Sequence, residues 1–567
     1  MTVPESILRQ LYVSDSFQAE PDVLSFALLN SFAPATITGF GLEVEGQRVP
    51  PDQLTVQAGE GEPRPATGIS ADRPFLLPVG VQVKVHARGV TRTGVERLTI
   101  HTETRELGSL CFSIRTGGGT GRRPVRTGRK RRRMFQRPLA ATVEVNPEDV
   151  VGEINPHVYG HFAEHLERCV YGGIWNADGS QVRSDTLGLI QALRPPLIRY
   201  PAGNFASGYH WEDGTGPRAG RPRRYDDAWH SWESNQVGTD EFLSFCARVG
   251  AEPFLVVNDG SGTADEAARW VAYCNQPTET EQGAQRAAYR RPAAHGVRWW
   301  GVGNEVWGRR QIGHTDAAGY AARLCQFVAA MRAADPAIRI VAVGDGITDD
   351  ATDNPGRRWN EAVLGRAGDQ INALSFHICQ PDKEGWQEDY DLDLLHHTIC
   401  AAPLDVEKMI GRMATQIETL APGREIRIAL DEWNLWLPPP PGAETIHRVV
   451  YTLRDALYVA GMFHVFHRKC GSLGMANLAQ LVNVLPLIVT DDQRAAATAI
   501  YFPFLLYSRM ERLALGVRTE VTTFNSQATG SIKLHRGIPY LEATATCDAL
   551  RQRLVVGLIN RHPLRPV

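Results

Sequence analysis

The 567-residue chain lacks the features that mark secreted, membrane and nucleic-acid-binding proteins. No basic-then-apolar segment opens it, so a secretory signal is not expected. No apolar run approaches the ~20 residues that a bilayer-spanning helix requires. The formal net charge is only −3, which gives no overall attraction to nucleic acid or to a membrane surface. We therefore expect a cytoplasmic protein that binds neither.

Cysteine provides no structural framework either. The nine cysteines are scattered, odd in number and without any CxxC pair. This pattern favours reduced thiols over a disulfide scaffold or a zinc site. The spacing of His161 and His165 would suit a metal on a helix, but the neighbouring residues read as the end of a strand. No metal or other cofactor is expected.

Composition divides the chain into four segments. Residues 1–116 alternate short β-like runs with turn signals, which predicts a small β-sandwich-like domain. Residues 117–138 are rich in glycine and arginine and predict a solvated linker. A polyanion-binding patch is the alternative, and the lack of interleaved aromatics disfavours it. Residues 139–517 form the longest segment, and residues 518–567 return to β-like runs.

The segment 139–517 alternates strand-like runs with helix-length stretches whose apolar residues have helical spacing. Repeated βα units over this length predict an α/β protein with a (β/α)₈ TIM barrel, which we take to be the catalytic domain. Polar residues follow several strands, where barrel enzymes place their chemistry. The few strands after residue 518 cannot bury a sheet face alone, so they are expected to pack on the barrel as a short, incomplete sandwich.

Two glutamates stand at the ends of apolar runs that read as buried strands. Glu305 follows residues 299–304, and Glu432 follows residues 428–431. A buried carboxylate is costly unless it is paired or used in chemistry. Each glutamate is followed by a tryptophan within two residues, and tryptophan faces suit sugar rings. The pair predicts glycoside hydrolysis by an acid and a nucleophile; a structural glutamate bonded to backbone is the alternative.

The surroundings suggest how the two carboxylates divide the work. Burial of Glu305 among Trp300 and Trp307 should favour its protonated form, which suits a general acid. Asp431 and Glu432 are adjacent, and side chains alternate along a strand, so only one is expected to face the pocket. The residues alone leave that choice open, with the other carboxylate in a salt bridge outside the pocket.

Five further polar residues are candidates for substrate contact. Glu164 near the first barrel strand and Asn204 after the second are well placed to bind sugar hydroxyls. Asn304 lies beside the first glutamate, where an asparagine can hold the sugar 2-hydroxyl. His377 ends a strand, and a structural role is its alternative. Gln480 is weak by itself, since an amide in a core strand or helix is the simpler interpretation.

Seven spaced motifs follow one another in a fixed order. They are Tyr159–His165, Arg199–Phe205, Gly208–Trp211, Asn235–Phe242, Gly303–Gly308, Asp431–Trp436 and Ala479–Leu485. This series resembles glycoside hydrolase family 51, the intracellular-type α-L-arabinofuranosidases, over roughly residues 140–562. The resemblance implies a (β/α)₈ barrel with an additional β-sandwich. It also implies release of terminal arabinofuranosyl residues, with retention, from arabinose-containing oligosaccharides or glycosides, and it makes a homo-oligomer an open expectation.

Carried over residue by residue, the resemblance selects Glu432 over Asp431 as the nucleophile and makes Glu305 the acid/base. His377 matches a histidine of the family's pocket. The positions that match furanose-binding residues of the family are Glu164, Asn204, Asn304 and Gln480.

The chain departs from the family pattern at four positions. The family usually has glutamine where this chain has His161, glycine where it has Glu167 and Ala202, and tyrosine where it has Cys379. A phenol that touches the nucleophile is therefore missing. Two alternatives follow: a glycosidase of shifted specificity, for another pentofuranoside or a pyranoside, and a non-catalytic sugar-binding or scaffold protein.

Overall fold

The chain is represented by a computed structural model, which divides into two compact units. One contains Met1–Gln136 with Pro440–Ala443, and the other contains Arg137–Pro439 with Glu444–Val567. The residues that the structure describes are 11–13, 16–20, 22–29, 35–59, 61–77, 81–90, 97–105, 108–115, 138–382, 392–440 and 442–567. The linker predicted at residues 117–138 lies, apart from its last residue, outside the described residues.

The N-terminal unit consists of two antiparallel sheets that share one apolar core. The first sheet has the order β1–β2–β8–β5–β6, with β1 Gln18–Glu20, β2 Val23–Leu29, β5 Leu54–Ala58, β6 Arg64–Pro65 and β8 Gln82–Arg88. The second has the order β10–β9–β3–β4 with β7 on β3, where β3 is Ala35–Val44, β4 Gln47–Arg48, β7 Phe75–Leu77, β9 Arg97–Thr104 and β10 Gly108–Arg115. Alternation sets the faces, because Val83, Val85 and Ala87 of β8 are buried. The predicted β-sandwich-like fold is confirmed.

Eight parallel strands close into a barrel in the second unit, which confirms the predicted TIM-barrel fold. They are β12 Gly160–Phe162, β13 Leu197–Tyr200, β16 Glu252–Val257, β17 Trp299–Val302, β18 Arg339–Ala342, β19 Ala373–Gln380, β20 Arg427–Leu435 and β21 Leu473–Leu478. Alternate residues point inward and outward. Leu197 joins the cluster of apolar side chains inside the barrel, whereas Ile198 and Tyr200 belong to the larger core outside it.

Helices cover the outside of the barrel. They are α1 Ser184–Leu193, α2 Thr239–Val249, α3 Ala264–Asn275, α4 Glu281–Ala288, α5 Ala317–Ala334, α6 Pro355–Ala367, α7 Leu392–Ala401, α8 Pro403–Leu420, α9 Leu453–Arg468 and α10 Tyr501–Tyr507. In α2, Phe242, Phe245 and Val249 recur at helical spacing and are buried. The helix ends at Gly250, whose φ of 76° is left-handed and suits glycine. Among the helices described, none combines the length and apolarity needed to span a membrane.

A four-stranded antiparallel sheet, in the order β11–β24–β27–β28, packs beside the barrel. Its strands are β11 Thr142–Glu153, β24 Leu513–Glu520, β27 Leu541–Cys547 and β28 Leu554–Asn560. The predicted domain boundaries differ here, since β11 lies within the segment assigned to the barrel and β24 begins before residue 518. We expected this sheet to come only from residues after 518. One of its edge strands, β11, instead precedes the first barrel strand in the chain.

Smaller two-stranded elements complete the unit. They are the hairpin of β14 Arg224–Asp226 and β15 Ser231–Glu233, the pair β22 Ile488–Thr490 and β23 Ala495–Ala497, and the pair β25 Thr523–Phe524 and β26 Ile538–Pro539. The β14–β15 hairpin lies at the end of the barrel where the strands finish, since it follows β13 and precedes α2.

A buried polar network, here called the sheet cluster, joins α9 to the sheet. It comprises His464, His467, Arg468, Glu542 and Arg561. Both guanidinium groups contact the Glu542 carboxylate, with Arg468 Nη1 2.8 Å from Oε1. His467 Nδ1 lies 3.0 Å from the hydroxyl of Thr544 in β27. The barrel and the sheet therefore meet through paired charges rather than through apolar packing alone.

Candidate active site

The two predicted catalytic carboxylates meet at the C-terminal end of the barrel strands. Glu305 follows β17, and Glu432 lies in β20 opposite His377 of β19. One carboxylate oxygen of each glutamate and one ring nitrogen of His377 all lie within 4.8 Å of one another. We call Arg199, Glu305, His377, Asp431 and Glu432 the active-site cluster. Residues more than 100 positions apart are thus gathered by the barrel into one place.

The loop that carries Glu305 has a constrained backbone. Gly303 has a φ of 88°, and a Cβ there would lie 2.4 Å from Oδ1 of buried Asp259, so only glycine fits. Glu305 itself has a φ of 45°, which is unfavourable for a non-glycine residue. The amide of Gly308 donates to the Glu305 carbonyl at 2.7 Å and holds this conformation. The Gly303-Asn304-Glu305 motif therefore aims the carboxylate by its backbone.

Asp431 and Glu432 both reach the same cluster, contrary to the expectation that only one faces the pocket. The strand pairing shows why. Between β19 and β20 the register passes from Ser375–Ala429 to His377–Glu432, so β20 has one residue more than its neighbour. Such a β-bulge interrupts the alternation of side chains. Asp431 is accordingly in ion pairs beneath the pocket and not in a salt bridge outside it.

Arg199, in β13, joins these groups. Its Nη1 donates to Glu432 Oε1 at 2.6 Å, its Nε lies 3.2 Å from Asp431 Oδ2, and its Nη2 donates to Asn304 Oδ1 at 2.9 Å. The guanidinium also lies over the ring of Phe162 at 5.3 Å. Arg199 was not among the predicted site residues, although an arginine inside an apolar barrel strand is a signal, because buried charges require partners.

His377 lies between the carboxylates. Its Nδ1 is 3.0 Å from Glu305 Oε1 and 3.7 Å from Glu432 Oε1, and its Nε2 is 3.2 Å from Asp431 Oδ1. Burial lowers the pKa of His377, but the charges of Glu432 and Asp431 outweigh burial and raise it to about 10. The imidazole is therefore protonated near neutral pH, and two cations in the cluster face three carboxylates.

The pKa values of the two glutamates are shifted in opposite directions, and the shift of Glu305 is not the one expected from its burial. Burial raises the pKa of Glu305, as expected, but the hydrogen bond and charge of His377 outweigh it and hold the pKa below its usual value. Burial raises the pKa of Glu432 and prevails over His377 and Arg199. The expectation that burial would favour the protonated form of Glu305 did not include the opposing effect of His377. The two groups are close enough to titrate as a pair.

Glu164 and Gln480 form one side of the site. Gln480 Nε2 donates to Glu164 Oε2 at 2.8 Å, and the indole of Trp229 donates to Glu164 Oε1 at 2.7 Å. Gly203 has a φ of 65°, and a Cβ there would lie 2.3 Å from this carboxylate. Burial and the nearby charge of Glu432 raise the pKa of Glu164 to about 8. Trp229 was missed by sequence reasoning because it lies in an irregular loop.

The amides of Asn204 and Asn304 form another side. Asn304 Nδ2 donates to Asn204 Oδ1 at 3.4 Å, and the amide of Gln311 donates to the same oxygen. Gln311 Nε2 also lies 3.4 Å from Glu305 Oε2. Every predicted site residue is thus linked by these contacts to the cluster or to Glu164. Gln311 is an addition from the loop after Glu305.

The tryptophans near the glutamates do not all face the site. Trp300 packs outside the barrel wall against Trp270, and Trp433 stacks on Phe504 of α10. The expected burial of Glu305 by Trp300 is therefore wrong, because β17 directs that ring outward. Partly exposed rings near the strand ends are Trp229, Trp307 and Trp436.

Glu167, where the family usually has glycine, keeps a left-handed backbone with a φ of 49°. Its carboxylate lies 2.6 Å from His447 Nδ1 and accepts a hydrogen bond from Thr445 at 3.0 Å. The ring of His447 stacks on Trp436, with centroids 5.1 Å apart. The side chain therefore ties the loop after β20 to the segment after β12.

Two other departures lie in different surroundings. His161 is buried outside the barrel wall with its ring 4.7 Å from that of Phe504, so it does not reach the cluster. Cys379 lies two residues after His377 on the same strand, and burial raises the pKa of its thiol. A change in specificity therefore depends on Cys379 more than on His161.

The spacing of Glu305, His377 and Glu432 would also suit a metal ion. However, the Arg199 guanidinium already neutralises Glu432 at 2.6 Å, and His377 Nδ1 lies against Glu305. His165 has both ring nitrogens 2.7 Å from protein groups, Glu233 and the hydroxyl of Tyr200. The donor sets are those of charge-paired networks, and we assign no metal to them.

Comparison with known proteins identifies the family. The Alpha-L-arabinofuranosidase 1 domain matches residues 189–382, and the Alpha-L-arabinofuranosidase C-terminal domain matches residues 431–550. The probable α-L-arabinofuranosidase C of Aspergillus terreus is 34% identical over 428 residues, which cover 72% of this chain and 82% of that relative. The chain belongs to glycoside hydrolase family 51. It is a glycoside hydrolase of the α-L-arabinofuranosidase type.

Two further family 51 comparisons agree. An intracellular exo-α-(1→5)-L-arabinofuranosidase of Halalkalibacterium halodurans is 32% identical over 444 residues, covering 75% of this chain and 85% of the relative. The thermostable family 51 enzyme of Thermotoga petrophila has a TM-score of 0.64 and 34% identity, covering 74% and 85% of the two chains. Residues 7–117 separately match the hydroxymethylglutaryl-CoA reductase N-terminal domain. That match concerns only the N-terminal unit and assigns no chemistry to the barrel.

Proposed function

We propose that this family 51 enzyme is a retaining, exo-acting α-L-arabinofuranosidase that works by double displacement. The observation that carries the proposal is the approach of Glu305 and Glu432 to within 4.8 Å, oxygen to oxygen. Retaining glycosidases hold their carboxyl groups about 5–5.5 Å apart, whereas inverting enzymes leave about 6.5–9.5 Å for a water. The short separation supports a covalent intermediate on one carboxylate over direct attack by a water that the carboxylate activates.

Glu432 acts as the nucleophile. Its Oε1 is held by Arg199 Nη1 at 2.6 Å, which fixes the carboxylate and leaves Oε2 for the anomeric carbon. Arginine is never deprotonated in this pH range, so the ion pair persists through the reaction. Attack forms a glycosyl-enzyme, and Asn304, held in turn by Arg199, contacts the 2-hydroxyl that helps to stabilise the transition state.

Glu305 acts as the acid and then as the base. Three carboxylates and two cations make the active-site cluster neutral when it holds one extra proton, which Glu305 and Glu432 share. His377 Nδ1 lies 3.0 Å from Glu305 Oε1 and 3.7 Å from Glu432 Oε1. When the sugar arrives, the imidazolium gives its Nδ1 proton to Glu305 and takes the proton of Glu432 in return. Glu305 then protonates the leaving oxygen, and in the second step it takes a proton from the attacking water.

Glu164, Asn204 and Gln480 bind the remaining sugar hydroxyls. Glu164 and Gln480 hydrogen bond each other at 2.8 Å and bring a carboxyl group and an amide to one place. Paired donors and acceptors of this kind suit neighbouring hydroxyls. Release of one terminal sugar is supported by the relative from Halalkalibacterium halodurans, which is described as an exo-α-(1→5)-L-arabinofuranosidase.

The test follows a neutral aryl α-L-arabinofuranoside by proton NMR. We expect the first product to be α-L-arabinofuranose, before mutarotation, and the β anomer would contradict retention. Glu432→Ala should lose nearly all activity, and azide should restore turnover with an inverted glycosyl azide as product. Undiminished hydrolysis by that variant would refute the assignment of the nucleophile.

A shifted specificity is the second candidate, and Cys379 is the observation that favours it. A thiol replaces the phenol expected beside the nucleophile, on the same strand as His377. A panel of aryl glycosides, including other pentofuranosides and pyranosides, separates the two. If Cys379→Tyr raises arabinofuranoside turnover at the expense of another sugar, specificity has shifted. The non-catalytic alternative would require binding without turnover on the whole panel.

The cellular location and assembly follow the same proposal. The relative from Halalkalibacterium halodurans is described as intracellular, which supports a cytoplasmic location for this chain. Fractionation of the native cells tests it, and light scattering of the full chain tests whether it forms a homo-oligomer.

A further inference from the structure

An arginine pair, Arg309 and Arg310, follows Glu305 in the loop after β17, and Arg310 is the member that reaches the Glu305 carboxylate. Both side chains are exposed, and Arg310 Nη2 is 3.7 Å from Glu305 Oε2. The side chain of Arg310 is 72% exposed, whereas that of Glu305 is only 15% exposed. The pair therefore stands at the border between the buried carboxylate and solvent.

The loop that presents the arginine pair is held by its own backbone. Gly308 N donates to Glu305 O at 2.7 Å, and Gln311 N donates to Gly308 O at 2.9 Å. Thr315 N closes the loop on Val306 O at 3.1 Å. Because the arginine pair lies between two consecutive turns, its position relative to Glu305 is fixed by a few residues.

The proposed mechanism does not account for this positive charge. In the described part of the chain, Arg310 has no carboxylate other than Glu305 within ion-pair distance, and Arg309 has none. A cation beside Glu305 opposes the protonated form that the first step requires. The other oxygen of Glu305 is already bonded to His377 at 3.0 Å. The exposed guanidinium groups are therefore available to a ligand.

Arg310 lies on the side of Glu305 where the leaving group of a bound substrate would be. An acid catalyst must contact the glycosidic oxygen, so whatever is attached to that oxygen lies next to the exposed face of Glu305. A guanidinium matches a carboxylate with two parallel N–H donors, and this geometry gives specificity as well as energy. The location and the chemistry together define a subsite for an anionic aglycone.

We propose that the preferred substrates are α-L-arabinofuranosides whose aglycone carries a carboxylate next to the glycosidic bond, as a uronic acid residue does. The inference rests on the proposed function and adds the substrate class. Arg310 is the main contact, since it is the arginine nearest to Glu305, and Arg309 adds to the positive potential. Attraction at this exposed site should act on substrate capture, and thus on KM more than on kcat.

The experiment compares 3-carboxyphenyl and 3-carboxamidophenyl α-L-arabinofuranosides, which have the same shape and differ in charge. The quantity measured is the ratio of their kcat/KM values. We expect this ratio to fall about two- to fivefold in Arg310→Gln, mainly through KM. The ratio should stay nearer to the wild-type value in Arg310→Lys, and it should decrease with added salt in the wild type.

Arg248→Gln is the matched control. Arg248 is an exposed arginine at the end of α2, just before β16 begins, and so lies at the opposite end of the barrel. Its ratio should equal that of the wild type. An unchanged ratio in Arg310→Gln would overturn the anionic subsite while turnover of the amide leaves the proposed function standing. Failure to hydrolyse either arabinofuranoside would overturn the proposed function, and the inference with it.

Discussion

The active-site cluster and the sheet cluster contain the same kinds of side chain but hold their histidines in opposite states. In the active-site cluster, three carboxylates surround His377 and raise its pKa to about 10. In the sheet cluster, burial first, and then the charges of His464 and Arg468, lower the pKa of His467 to about 3. A buried imidazole therefore carries a proton near neutral pH only where nearby carboxylates outweigh the effect of burial.

The comparison also separates a working site from a structural one. In the sheet cluster, Glu542 is matched by two arginines, and its pKa is held far below the usual range because their charges outweigh burial. The carboxylate of Glu542 therefore holds no proton that could move to another group. The active-site cluster instead has a surplus carboxylate, so one proton is shared and can move. Perturbed groups mark functional sites only when, as here, a proton has more than one place to go.

The largest expected effect is on activity. It comes from replacing the carboxylate of Glu432, which removes the excess of carboxylates over cations in the active-site cluster. Glu432→Gln keeps the shape and the contact with Arg199 but removes the nucleophile. We expect kcat to fall by at least about 10⁴-fold, equivalent to roughly 5 kcal/mol of barrier. Thermal unfolding should change little, because Asp431 still pairs with Arg199. A variant that retained a tenth of the activity would contradict the role of Glu432.

The next effect is on stability, from breaking the sheet cluster. Glu542→Gln leaves the buried guanidinium of Arg561 without its counter-charge, and we expect a loss of about 3–5 kcal/mol in the free energy of unfolding. Glu407→Gln is the matched control, since Glu407 pairs with the same Arg468 at 2.8 Å but at a more exposed position. The control should cost less than about 1 kcal/mol. Equal losses measured by denaturant titration would show that burial of the pair is unimportant.

Replacing one histidine in each cluster sharpens the comparison through the pH profile. The imidazolium of His377 lowers the pKa of Glu305, so in His377→Gln that pKa should rise. The alkaline limb of kcat/KM, which reports loss of the catalytic proton, should then move to higher pH, with kcat about 10²–10³-fold lower. His467→Gln removes a neutral ring and should leave the limb in place. A shift to lower pH in the first variant would contradict the assignment.

The smallest effect concerns Glu164, whose pKa is raised from 4.5 to about 8 by burial and by Glu432. Between these values the folded state keeps a proton that the unfolded state has released, so the contribution to stability is full at low pH and is lost as pH rises through about 8. Glu164→Gln cannot ionise, so its stability does not fall in this pH range. We expect the Tm of the variant minus that of the wild type to be a few degrees larger at pH 9 than at pH 5. A constant difference in calorimetry would argue against a protonated Glu164.

The barrel and the two glutamates at the ends of its strands could be predicted because their signals are local. Apolar runs that end in polar residues mark the barrel strands, and Glu305 and Glu432 each close such a run. The pairing of Asp431 with Glu432 could not be predicted, because a bulge depends on the neighbouring strand as well as on β20. The pKa of Glu305 could not be predicted for a related reason. It depends on His377, which is 72 residues away in sequence.

Other errors came from side chains whose direction depends on the closed barrel. Trp300 and Trp433 look like sugar platforms beside the glutamates, but their strands turn them into the outer core. Trp229 and Gln311, which do contact site residues, lie in loops without regular spacing. The strand β11 was missed because its partner strand, β24, lies at the far end of the chain. No local sequence pattern predicts that pairing.

The position of β11 has a consequence for how the protein is made. Thr142 pairs with Glu520 and Glu153 with Leu513, so the partner strand leaves the ribosome about 360 residues later. At translation rates of about 5–20 residues per second, β11 waits roughly 20–70 seconds for β24. Before then, the backbone N–H and C=O groups that β11 turns toward β24 have no partner strand. The four-stranded sheet is therefore completed only after the whole barrel has been synthesised.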